Sequence, residues 1–91
     1  MTQIIENWTD VSATVSSVQP STDVPEHVEA QVHINSASPV EGFANLLSDS
    51  KGKTLQVYVR QGVAAEQRLK PGAEIHLRLR RGGAKIFAHP D

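Results

Sequence analysis

Five stretches of this chain alternate apolar and polar residues with a period of two, the spacing of a strand with one buried face. HVEAQVHI (27–34) places Val28, Ala30, Val32 and Ile34 on one side. KTLQVYVR (53–60) does the same with Leu55, Val57 and Val59, and AEIHLRLRR (73–81) with Ile75, Leu77 and Leu79. AKIFAH (84–89) brings Ile86 and Ala88 inward. DVSATVSSV (10–18) aligns Val11, Ala13 and Val15 and leaves Val18 out of phase, which a bulge near Ser16-Ser17 corrects. Only GVAAEQRL (62–69) reads as a helix, stopped by Lys70-Pro71-Gly72. Residues 19–26 form a loop rich in Pro, Ser and Thr, and residues 35–52 stay open between a helical turn and a bent strand.

This pattern constrains the fold. Five one-sided strands must bury their apolar faces, and one short helix is too small to cover an open sheet. Closing the sheet on itself solves the problem and removes exposed edges. The expectation is an all-β domain with one short helix: a small five-stranded barrel, order β-β-β-α-β-β, over residues 1–91. An SH3-like or other small α+β barrel is the alternative. The stretch LKPGAEIHLRLR (69–80) carries a Leu-x-x-Gly-x-x-Ile step after the helix. This step and the element order resemble the OB-fold superfamily. The resemblance covers nearly the whole chain at the level of element order and implies an OB-like barrel, with no particular family's residues carried over.

Composition narrows the function classes. There is no cysteine, so a disulfide framework, a thiol nucleophile and a Cys-type zinc site are excluded. The N-terminus has no basic-then-apolar leader and no apolar run reaches membrane-spanning length, so the expectation is a cytoplasmic protein with no membrane partner. The four histidines form no His-x-His or His-x3-His pair. No nucleophile elbow, phosphate loop or His–acid motif is present. The expectation is a non-enzymatic binding module with no metal and no cofactor. The net charge of −1 hides an asymmetry. Residues 1–50 hold seven acids and no Lys or Arg, whereas residues 51–91 hold all nine Lys and Arg against three acids. Such a split marks either a basic binding surface or two halves that attract each other in the fold.

The basic residues lie among the outward positions of the last strands. With Gly82-Gly83 as a two-residue hairpin turn, Arg81 pairs with Ala84, Arg80 with Lys85, Arg78 with Phe87 and His76 with His89. Arg78 and Phe87 then form a cation–π contact. Tyr58 points outward beside Arg60. The candidate nucleic-acid surface is Tyr58, Arg60, Arg78, Arg80, Arg81, Lys85 and Phe87, with cations on phosphates and the two rings stacking on bases. The competing expectation is a solvated outer face on a protein-interaction or self-assembly module, its acidic and basic surfaces pairing between molecules. Trp8, the one tryptophan, is expected to cap one end of the barrel.

Overall fold

A computed structural model describes residues 7–43, 47–82 and 85–89. The strands are β1 (Thr9–Pro20), β2 (His27–Pro39), β3 (Thr54–Arg60), β4 (Glu74–Gly82) and β5 (Lys85–His89). The helix α1 (Gln61–Glu66) joins β3 to β4, and a 3-10 turn (Ser48–Ser50) precedes β3. The sheet closes in the order β1-β2-β3-β5-β4, with β4 pairing back onto β1. All pairs are antiparallel except β3 with β5. The element order is the one expected, and the architecture is compatible with an OB-like fold.

The alternation accounts for the core. Val11, Ala13 and Val15 from β1 meet Val32 and Ile34 from β2, Val57 and Val59 from β3, Leu77 and Leu79 from β4, and Ile86 from β5, all less than a tenth exposed. Leu47 fills in below the 3-10 turn. Each such Val, Leu or Ile side chain contributes about 1.5–3 kcal/mol on burial. The bulge in β1 falls where expected: the register slips between Val15 and Ser17, so Val18 returns to the phase of Ala30. A second slip, opposite Ser12 and Ala13, skips Asn35 and carries β2 on to Pro39. The first part of the ambiguous segment is therefore strand. Of GFANLL, residues 44–46 lie outside the described residues, and Phe43 is exposed.

The helix ends earlier than expected, at Glu66, through a Schellman arrangement: the Leu69 N–H reaches the Ala64 carbonyl and the Arg68 N–H the Ala65 carbonyl. The left-handed position is held by Arg68 at φ 53°. Pro71 and Gly72 then make a type II turn, closed by the Ala73 N–H on the Lys70 carbonyl at 3.0 Å, with Gly72 at φ 90°. The Gly72 N–H and the Ala73 carbonyl both bond Val15 at 2.8 Å, so the turn is tied to β1 beside its bulge.

The C-terminal hairpin differs from the expectation by two residues. Arg80 pairs with Phe87, Arg78 with His89, Leu79 with Ala88, Arg81 with Ile86 and Gly82 with Lys85. Gly82 thus belongs to the ladder; Gly83 and Ala84 lie outside the described residues. The reason is local. A Cβ on Gly82 would meet the Phe87 ring at 3.4 Å, so the ring lies across the glycine. An aromatic covering a cross-strand glycine supports this register. The expected Arg80–Lys85 opposition does not form, nor does that of His76 with His89. His76 pairs instead with Ser12 of β1.

Candidate nucleic-acid interface

Phe87 sits at the centre of the outer face formed by β3, β5 and β4. The two-residue shift preserves its orientation, because inner and outer positions also repeat every two residues. Its neighbours on both sides are now defined. Across β4–β5 it faces Arg80, whose guanidinium carbon is 5.8 Å from the ring centroid. The cation–π partner is therefore Arg80, not Arg78. Across β3–β5 it faces Tyr58, ring centroids 5.8 Å apart and tilted by 38°. The His27 ring meets its edge from β2 at 6.1 Å.

The seven expected site residues separate into three groups. Arg60, Arg80, Lys85 and Phe87 share the outer face. Tyr58 is on the same face but only 6% exposed. Phe87 packs on it, Lys85 Nζ stands 5.8 Å from its ring, and Gln56 Nε2 donates to its hydroxyl at 3.2 Å. Tyr58 therefore supports Phe87 from below instead of offering an open stacking surface. Arg78 is drawn to the first half of the chain: its Nε donates to Asp10 Oδ1 at 2.8 Å and its Nη2 to Oδ2 at 3.3 Å. The two residues are cross-strand partners on β1 and β4, each a little over a third exposed.

Arg81 departs from the face altogether. It follows Arg80 directly and so takes the inner phase, opposite buried Ile86, where the barrel rim leaves its side chain in solvent. It lines a different recess, with Leu47, Asp49 and Lys53. Its backbone is clamped by buried Asn7, which accepts from the Arg81 N–H at 2.8 Å and donates to the carbonyl at 3.0 Å. This side-chain amide extends the β1–β4 pairing beyond Thr9. Nothing in a lone Asn before the first strand signals that role.

The end of the face gathers positive charge, while Glu26 and Glu66 line a separate recess on another side of Arg60. Among the described residues Arg60, Arg80 and Lys85 take part in no ion pair. His89 continues the row after Phe87 and titrates below the usual histidine range. Burial is the main cause, and the positive charges of Arg80, Arg60 and His27 add to it. Its Nε2 is screened from solvent and has no hydrogen-bond partner among the described residues. Trp8, expected to cap an end of the barrel, is half-buried with its ring 5.0 Å from that of His89 in an edge-to-face contact. Periodicity marks His89 only as an outward residue; its surroundings come from strands far apart in sequence.

No group of three or more potential metal-binding side chains gathers among the described residues. No helix among them is long and apolar enough to cross a membrane. No protein-family model matches the chain, and no curated protein matches it.

Proposed function

We propose that this barrel is a nucleic-acid-binding module that engages a short single-stranded segment on the outer face of β3, β5 and β4. In this reading Arg60, Arg80 and Lys85 pair with phosphates, and Phe87, backed by Tyr58, stacks against a base. The observation that carries it is the arrangement around Phe87: a half-buried ring beside Arg80 and next to Tyr58, with Lys85 over Tyr58. Among the described residues the cations there are not paired with acids, whereas Arg78 is. OB-like architecture adds support in kind, since barrels of that kind commonly bind oligonucleotides on a face around their second and third strands, of which the proposed face shares β3.

The self-assembly alternative rests on oppositely charged halves meeting between molecules. The Asp10–Arg78 pair satisfies part of that attraction inside one molecule, which favours the nucleic-acid reading.

Three phosphate contacts give a salt dependence that can be stated in advance. For single strands the logarithm of affinity falls with log salt at about 0.7 per phosphate contact, so the slope is expected near −2. Fluorescence anisotropy of a labelled oligothymidylate across 20–200 mM salt measures it. Arg80→Gln is expected to make the slope shallower by about 0.7. Absence of binding at the lowest salt would contradict the proposal.

A further inference from the structure

A cavity of about 390 Å³ opens beside Phe87, where β3 and β5 end, lined by His27, Arg60, Val63, Phe87, Ala88 and His89. Among the described residues no carboxylate lines it. Three nitrogen-bearing side chains reach it from three strands: His27 from the start of β2, Arg60 from the end of β3, and His89 from the end of β5. His27 and Arg60 are cross-strand partners.

The chemistry of each wall points to an anion. Arg60 is exposed and unpaired among the described residues. His27 Nδ1 lies 2.8 Å from the Pro25 carbonyl. A carbonyl only accepts, so Nδ1 carries the hydrogen and Nε2 becomes a donor once the ring takes up a second proton. His89 holds a screened nitrogen without a partner, in the field of Arg60, Arg80 and His27. A negative group in the cavity offsets that field, and in doing so favours the protonated histidines. Phe87 adds an apolar wall that a bare oxyanion does not need. The volume is at the lower end of the range for small-ligand sites, about 300–1,000 Å³, and exceeds what a bare oxyanion fills.

We propose that this cavity holds the terminal phosphomonoester of a nucleic-acid strand, with Arg60, His27 and His89 around the phosphate and Phe87 against the adjoining sugar and base. The proposal rests on the nucleic-acid reading of the neighbouring face. A monoester carries a charge of about −1.5 to −2 near neutral pH, more than one internal diester, and so gains more from clustered cations.

The test compares oligonucleotides of one sequence that end in a 5′-phosphate, a 3′-phosphate or hydroxyls only, at pH 6.5 and constant ionic strength. One phosphorylated form is expected to bind about tenfold more tightly than the hydroxyl-ended strand. Arg60→Gln and His27→Gln, both changes in side chains that reach solvent, are each expected to reduce that preference to under threefold. Inorganic phosphate at millimolar concentration is expected to remove the preference and leave the hydroxyl-ended strand bound. Equal affinity for all three strands overturns the cavity proposal and leaves the face reading standing. Binding of inorganic phosphate, seen as shifts of the His27 and His89 ring resonances, without binding of any strand identifies a free-phosphate site. That result overturns both the strand-end assignment and the face reading.

Discussion

Asp10 and Arg78 show how a single pair divides the arginines of β4 into two kinds. Arg78 meets an acid across the β1–β4 ladder; Arg80, two residues on, meets Phe87. Because the pair is more than a third exposed, its loss is expected to cost under about 1 kcal/mol. Asp10→Asn therefore lowers the urea midpoint slightly. His89 makes a second residue-scale prediction. Its folded-state pKa is below its ordinary value, so the unfolded chain takes up the proton more readily. The associated stability is fully present above the ordinary histidine pKa of about 6.5 and is lost as pH falls below it. Urea titrations followed by Trp8 fluorescence are expected to give a lower midpoint at pH 5.5 than at pH 7.5. His89→Gln is expected to reduce that difference, and an equal difference in both proteins would contradict the assignment.

At the level of elements, the turns carry information that the period-two pattern lacks. Alternation identified all five strands and their inner faces, because burying one face leaves few other choices. It had no power over the β4–β5 register. Pairing Arg80 with Lys85 and pairing Arg80 with Phe87 differ by two residues and put the same side chains inside. The discriminating contact is Phe87 across Gly82, which only a three-dimensional arrangement reveals. The inner phase of Arg81, by contrast, follows from alternation itself, since Arg81 comes directly after Arg80 and in phase with Leu77 and Leu79; only its solvent-exposed place at the rim needs the fold. Around α1 the backbone makes a sharper statement. Arg68 occupies a left-handed position that costs a non-glycine residue about 1–2 kcal/mol, while Gly72 occupies one that its lack of a Cβ permits. Arg68→Gly is expected to raise the thermal midpoint, with part of the gain cancelled by the freer unfolded chain. Gly72→Ala is expected to lower it by roughly 1 kcal/mol of stability. Calorimetry of the two variants checks both signs.

For the whole molecule, the closed barrel decides which parts of the charge asymmetry survive folding. β1 and β2 carry Asp10 and Glu29 and no Lys or Arg, β3 to β5 carry Arg60, Arg78, Arg80, Arg81 and Lys85 against Glu74, and closure puts β1 directly against β4. The Asp10–Arg78 contact follows from that closure. The β3–β5 seam lies on the basic part of the chain, and there Arg60, Arg80 and Lys85 stand clear of ion pairs among the described residues. The sequence alone showed the segregation but not which cations remain available, since that depends on which strands become neighbours. The same holds for the cavity beside Phe87, built from residues 27, 60, 63 and 87–89. The central claim is that this seam is a binding face. The most direct test is a two-dimensional ¹H–¹⁵N NMR titration with an unlabelled single-stranded oligonucleotide at 20 mM salt. The largest shifts are predicted at Arg60, Arg80, Lys85, Phe87 and His89, with His33, Ser36 and Ser38 of β2 little changed. Shifts confined to β1 and β2, or none at saturating oligonucleotide, would contradict it.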